Sequence, residues 1–394
     1  MNTMTLGSSP ASFSAKTDFT VGTLPRSVKF GDLNGDGKPD MAVANSTGLS
    51  VSVFLNTTPS GTSTPTFSAR TDFVVGGTAQ TVTIADINGD GKPDLITANL
   101  SPATFSVLIN TTTPGASTPS FSANSDFATA SITSAGVVGD INGDGKPDLV
   151  ASNNTTVAAV SVLLNTTPTG SATPTFAAKV DFIPSAQFCQ FLAIGDLNGD
   201  GKLDLALSFS TPNIVTVLLN TTPTGSATPT FSARTDFTTG SSPRNVAIGD
   251  LNGDGKPDLA VTNNSGNSVS VLLNTTSPGA SSPTFSARTD FTTGTAPFPV
   301  SIADVNGDGL PDLVVGNNNA SSISVLLNTT TTGASTPTFA AKTDFTVGTI
   351  PRSLTIGDLN GDGKPDLAVG NQTTGNVSVL FNTVSLPLPV ELAS

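Results

Sequence analysis

A nine-residue stretch, Asp32-Leu33-Asn34-Gly35-Asp36-Gly37-Lys38-Pro39-Asp40, recurs seven times in this chain of 394 residues. The copies begin at Asp32, Asp86, Asp140, Asp196, Asp250, Asp304 and Asp358. The spacing is 54 residues everywhere except between the third and fourth copies, where it is 56. Length alone would suggest two or three domains. A fixed period of this size points instead to one repeat architecture.

Each copy carries oxygen-bearing side chains at positions 1, 3, 5 and 9, with glycines between them where the backbone must turn sharply. Asn-Gly and Asp-Gly also make ordinary turns. Simple turn chemistry does not require three aspartates and an asparagine in every copy. A hard cation such as calcium takes about six to eight oxygens from carboxylates, amide or backbone carbonyls and water. The expected ligands are therefore Asp32, Asn34, Asp36 and Asp40 with the backbone carbonyl of Lys38. The corresponding sets are Asp86, Asn88, Asp90, Lys92 and Asp94; Asp140, Asn142, Asp144, Lys146 and Asp148; and Asp196, Asn198, Asp200, Lys202 and Asp204. They continue with Asp250, Asn252, Asp254, Lys256 and Asp258; Asp304, Asn306, Asp308, Leu310 and Asp312; and Asp358, Asn360, Asp362, Lys364 and Asp366. An EF-hand loop starts similarly but needs a glutamate at its twelfth position and flanking helices. Here that position is Val43, and both flanks read as strands.

The charge inventory supports a metal reading. Of 29 acidic residues, 21 are the aspartates of these loops. Seven more form a second series: Asp18, Asp72, Asp126, Asp181, Asp236, Asp290 and Asp344. The last is Glu391, so no carboxylate is left over. Seven Ca²⁺ would bring the formal charge of −13 close to zero. A basic nucleic-acid footprint is absent, and no apolar run reaches the ~18 residues of a membrane span. The single cysteine, Cys189, forms no internal disulfide and reads as a small buried hydrophobe.

Within one period the pattern reads as four strands. Phe13–Phe19 alternates with period 2; Ser27–Gly31 precedes the loop; Met41–Ala44 and Val51–Leu55 follow it. No helical apolar period survives over ten residues. Seven such units predict an all-β fold, a seven-bladed β-propeller of four-stranded antiparallel blades. Stacked solenoid coils would need caps, and none is visible. The chain starts on an outer-type strand and ends one strand short, so the N-terminal strand is expected to pair with Val377–Phe381 and close the ring. The domain plan is a tail over 1–12, the propeller over 13–384 and a Pro-rich tail or linker over 385–394.

The D-x-N-G-D-G-x-x-D loops and the strands around them resemble the FG-GAP or VCBS repeat of integrin α propellers and of many secreted bacterial proteins. They are also similar to the repeat of a fungal propeller lectin. The resemblance implies that the metal loop joins the innermost strand to the second, and that the chain is a secreted or cell-surface adhesion module. The segment LPLPVEL over 386–392 resembles the linker before type IX sorting domains in secreted Bacteroidetes proteins. The start, MNTMTLGSSP, has neither the basic nor the apolar region of a signal peptide, which leaves either a mature or trimmed chain or a cytoplasmic protein. Cytosolic calcium is too scarce to fill weak multi-copy sites, so the exported chain is expected.

Catalysis has little to work with. Histidine, tyrosine and tryptophan are absent. Ser-His-Asp and Cys-His mechanisms are thereby excluded, and the Asp18 series is expected to pair with strand neighbours such as Lys16. A non-enzymatic, monomeric binding module is expected, with an unknown protein or glycan partner, no nucleic acid and no membrane insertion. The alternative is a calcium-dependent carbohydrate-binding lectin, against which stands the lack of Trp or Tyr for stacking sugar rings. The Asn-Thr-Thr after each VSVLL strand matches a glycosylation sequon, but reads better as a turn start with local side-chain bonds. The link after that strand is nearly constant, whereas the links before the inner strand and after the second strand vary. Those variable links are expected on one face, opposite the metal loops. Gln187, Phe188, Gln190, Phe209 and Phe298 are its least repetitive members and the candidate ligand contacts.

Overall fold

A computed structural model of the chain describes residues 9–154, 160–182 and 189–385. Among the described residues, twenty-eight strands form seven separate four-stranded antiparallel sheets. In the first blade they are Pro25–Gly31, Asp40–Asn45, Ser50–Phe54 and Thr71–Val74, hydrogen-bonded in chain order. The first strands of successive blades touch one another, and Pro351–Gly357 of the seventh blade touches Pro25–Gly31 of the first. These strands therefore line a closed axis. The loop following each of them is the nine-residue acidic loop.

Ring closure is as expected. Thr17–Thr20 pairs with Asn376–Leu380, with Thr17 opposite Val379 and Thr20 opposite Asn376. The expected outer strand over Phe13–Phe19 is shorter, however. Phe13 makes only an isolated bridge to Asn382, and regular pairing starts at Thr17. The cause is Ser14: its hydroxyl accepts the Phe381 N–H at 3.0 Å, replacing a backbone carbonyl and interrupting the ladder. Ser68 does the same to the Leu55 N–H in the first blade.

The core lies between blades. Seven apolar clusters each join two neighbouring sheets, such as Leu33, Val51 and Val53 of the first blade with Val82 and Leu95 of the second. The second strand of every blade is buried along its whole length, because both of its faces meet a neighbour. Seven T-shaped phenylalanine pairs stitch the outer margins together, from Phe13–Phe345 at 5.1 Å to Phe291–Phe339 at 4.9 Å. Such pairs add about 0.5–1.5 kcal/mol beyond area burial. Cys189 is fully buried and burial pushes its thiol up to about 12, so it is an inert core residue.

Candidate metal loops and the opposite face

Each acidic loop is held by its own carboxylates. In the first copy, Asp32 accepts the N–H groups of Asp36 at 3.0 Å and Gly37 at 2.8 Å. Asp36 accepts that of Lys38 at 3.0 Å, and Asn34 Oδ1 accepts that of Asp36 at 3.2 Å. Gly35 and Gly37 stand at φ of +67° and +85°, the left-handed region where an L side chain is strained. The ninth-position aspartate is different. Asp40 is fully buried and clamps two segments, accepting the Leu33 N–H at 2.8 Å and the Asn56 N–H at 2.7 Å. Burial raises its pKa to about 6, with help from the charges of Asp36 and Asp32. Asp94, Asp148, Asp204 and Asp366 behave alike, and Asp258 and Asp312 rise to about 7.

These loops gather only oxygen donors, which is the chemistry a hard divalent cation requires. A cation there would also offset the mutual repulsion that helps to raise Asp40. Among the described residues, no three acidic side chains stand grouped as a preassembled cage. Each carboxylate is turned toward backbone N–H groups, leaving further lone pairs on each oxygen. Leu203 and Leu310, in place of the usual proline and lysine, leave the aspartates unaltered. Leu310 does forgo a contact, since Lys38, Lys92 and Lys146 donate to the carbonyls of Thr58, Thr112 and Thr167.

The structure explains why the link after the third strand is constant. Asn110, in the second blade, sends Nδ2 to the Leu33 carbonyl of the first blade's loop at 2.9 Å. Gly115 N–H meets the Asn34 carbonyl at 2.7 Å, and Asn34 Nδ2 returns to the Ala116 carbonyl at 3.0 Å. The same clasp joins Asn165 to Ile87, Asn220 to Ile141, Asn274 to Leu197, Asn328 to Leu251, Asn382 to Val305 and Asn56 to Leu359. These asparagines do start turns, accepting the N–H two residues on as in Asn110 to Thr112. Their reach into the neighbouring blade was not legible in the sequence. All seven are buried, so the six Asn-Thr-Thr sequons that follow the third strands are not open to glycosylation in the folded chain.

The Asp18 series is structural. Ser378 donates to Asp18 and Ser52 to Asp72, each at 2.6 Å, and the partner cations Lys16 and Arg70 lie alongside.

The variable links do share the face opposite the loops, because antiparallel order puts both at the other ends of the strands. The residues proposed for that face divide. Gln187 and Phe188 lie outside the described residues, as do the longer links of the third and fourth blades. Phe209 is fully buried and cannot contact a ligand. It replaces the buried asparagine that ends the second strand of the other six blades, such as Asn45, and packs against Leu207 and Ile214. Gln190 and Phe298 are on inner strands and line a cavity of about 640 Å³ at the axis.

The model of the FG-GAP-like repeat matches residues 32–97, 140–207, 196–261, 250–315 and 304–369. The chain belongs to this FG-GAP-like repeat family. Comparison with curated proteins gives no match. Among solved structures, the fold is similar to BBS1N, crystallised in complex with ARL6DN and soaked with lead or with mercury. Each of these two structures gives a TM-score of 0.60 at 11% identity, covering 96% of this chain and 99% of that one. It is also similar to an Agrocybe aegerita lectin that recognises non-reducing terminal N-acetylglucosamine, with a TM-score of 0.50 and 19% identity, covering 81% and 79%. At these identities the likeness concerns the fold alone. No helix among the described residues is long and apolar enough to cross a membrane.

Proposed function

We propose that this FG-GAP-like chain is a secreted, calcium-binding propeller that acts as a non-catalytic binding or adhesion module. The observation that carries the reading is the clasp: every acidic loop is also a joint between two blades. A cation held by Asp32, Asn34, Asp36, the Lys38 carbonyl and Asp40 would stiffen that joint, and likewise around the ring. The opposite face would then be presented rigidly to a partner. The similar structures named above come from two proteins, one crystallised with a protein and the other a lectin, so a protein or a glycan is the class of partner to test. An exported protein meets millimolar calcium, which multi-copy sites of modest affinity need.

The test has two arms. Elemental analysis after dialysis into calcium buffer should approach seven ions per chain; a value near zero removes the metal reading. A glycan array and a pull-down from extracellular protein, both in calcium, separate a lectin from a protein-binding module. Hydrolysis of an arrayed glycan would overturn the non-catalytic assignment.

A further inference from the structure

The cations of this chain fall into three groups. Six pair with the Asp18 series: Lys16, Arg70, Lys179, Arg234, Arg288 and Lys342. Six lysines sit at the seventh position of the acidic loops. The remaining four of the 16, Arg26, Lys29, Arg244 and Arg352, all line the axial cavity. Among the described residues no carboxylate lines it, since every aspartate is used in the loops or the outer strands. Chance scatter over the surface would not leave four unpaired cations in one place.

The three arginines occupy the same position of three inner strands, one residue after Pro25, Pro243 and Pro351. In ring order the arc runs Gln190, Arg244, Phe298, Arg352, Arg26. Arg352 stacks on the Phe298 ring at 4.1 Å, and Arg244 donates to Gln190. Both guanidiniums are thus held by groups that leave their charge uncompensated. Arg26 supplies the independent sign of a missing ligand: its Nε is buried and has no hydrogen-bond partner. A buried donor left in that state forfeits its hydration with nothing in return, which a ligand oxygen would restore. Arg352 is pushed down to about 10 by burial and by repulsion from Arg26 and Arg244, which places all three within one electrostatic neighbourhood. Lys29 lines the same cavity deeper along its strand.

We infer that the axial cavity is a binding site for a small organic polyanion, whose acidic groups are gripped by Arg26, Arg244 and Arg352 while Phe298 and Gln190 contact its body. Guanidinium forks match phosphate, sulfate and carboxylate oxygens in a bidentate way. The cavity is of the size that encloses a disaccharide-sized ligand. This site is separate from the acidic loops at the other ends of the strands, so it stands or falls independently of the calcium reading.

Titration calorimetry at fixed ionic strength tests it, with the protein both calcium-loaded and metal-free. The probes are sucrose octasulfate, glucose 1,6-bisphosphate and digalacturonate, with sucrose as the neutral control. The expected result is one site per chain for at least one anionic probe, in both metal states, and none for sucrose. The probe that binds distinguishes sulfate, phosphate and carboxylate sources. Arg352→Gln should weaken binding by about tenfold or more, the loss of one charge-assisted contact. The triple variant Arg26→Gln, Arg244→Gln, Arg352→Gln should abolish it, and Arg70→Gln on the outer strand should leave it unchanged. Both channel variants should melt at or above the parent, because mutual repulsion is relieved; that measurement separates lost binding from lost folding. Binding undiminished in a folded triple variant, several weak sites per chain, or no binding by any anion would each overturn the inference.

Discussion

The clasp between blades makes a quantitative claim that one substitution can test. Asn274 is only 2% exposed. Its Nδ2 donates to the Leu197 carbonyl of the neighbouring blade at 2.8 Å and to the Pro257 carbonyl at 2.9 Å, and its Oδ1 accepts the Thr276 N–H at 2.9 Å. Asn274→Ala removes three hydrogen bonds and leaves three backbone groups without that partner, two of them buried and one half-buried. At about 1 kcal/mol for each bond, and more where a group is left unsatisfied, the loss is about 3–5 kcal/mol. An unfolding entropy of about 2 cal/mol/K per residue, over 394 residues, gives ~0.8 kcal/mol/K. Each kcal/mol then lowers Tm by about 1.2 °C, so the variant should melt about 4–6 °C below the parent. Asn274→Asp should be worse, since it turns the donor into an anion facing two carbonyls. Ser277→Ala, in the same link but exposed, is the control and should stay within about 0.5 kcal/mol. Calorimetric melting with and without calcium is the assay. If Asn274→Ala melts with the control, the asparagine is a bystander and the joint rests on apolar packing and on the remaining bonds of Asn198 to Gly279 and Ala280.

Other expectations follow from the same geometry. Excess EDTA should lower Tm by many degrees, because a ligand confined to the folded state contributes ~2.7 kcal/mol per site at one hundred times its Kd; an unmoved melting curve would contradict the proposed calcium sites. The metal-free protein should respond oppositely to acid. Asp40 and its equivalents have folded pKa values of about 6–7, above the ordinary 3.8, so the folded state binds more protons and stability should rise as pH falls from about 7 toward 4. With calcium the trend should reverse, since the ligands must be deprotonated; parallel pH profiles in the two states would refute this. Deleting residues 1–20 removes the strand that completes the seventh blade, and should aggregate or melt much lower, whereas deleting 386–394 should not; equal melting would refute closure. Phe209→Ala should cost about 3–5 kcal/mol through the cavity it leaves, and a change below 1 kcal/mol would mean that the fourth blade repacks.

The periodicity made the architecture legible because each blade repeats the same local instruction: strand, acidic loop, strand, turn, strand. The closing strand was legible from the chain's phase alone. What stayed hidden were the contacts between repeats. Asn110 and Leu33 are 77 residues apart, so the clasp appears only once two blades are side by side. The constancy of that link is the available signal, but Asn-Thr-Thr is equally good turn chemistry and does not by itself mark a joint. Phe209 looked like a surface irregularity because it breaks the repeat, yet its place at a strand end that is asparagine elsewhere marks a core exchange. Ser14 interrupts the outer strand through its hydroxyl, which an alternation pattern cannot register. The axial arginines stand 108, 218 and 326 residues apart in sequence, and only ring closure brings them together. The available signal was the charge inventory: Arg26, Lys29, Arg244 and Arg352 are the cations that neither precede an Asp18-type aspartate nor sit in an acidic loop.

The seam that closes the ring also decides how the molecule carries mechanical load. Residue 17 faces residue 379 and residue 20 faces residue 376, so both ends of the chain leave from the same end of an antiparallel pair. Ser9 and Ser385 are in contact there, the Ser9 hydroxyl 3.3 Å from the Ser385 carbonyl. Tension applied through those two points does not slide one strand along the other, which would strain all the seam's bonds at once. It opens them from one end, a pair at a time, like a zip. A ring whose seven apolar seams resist heat together would thus yield at low force where its ends meet, and anything tethered at both ends would strip Thr17–Thr20 away before disturbing any other blade.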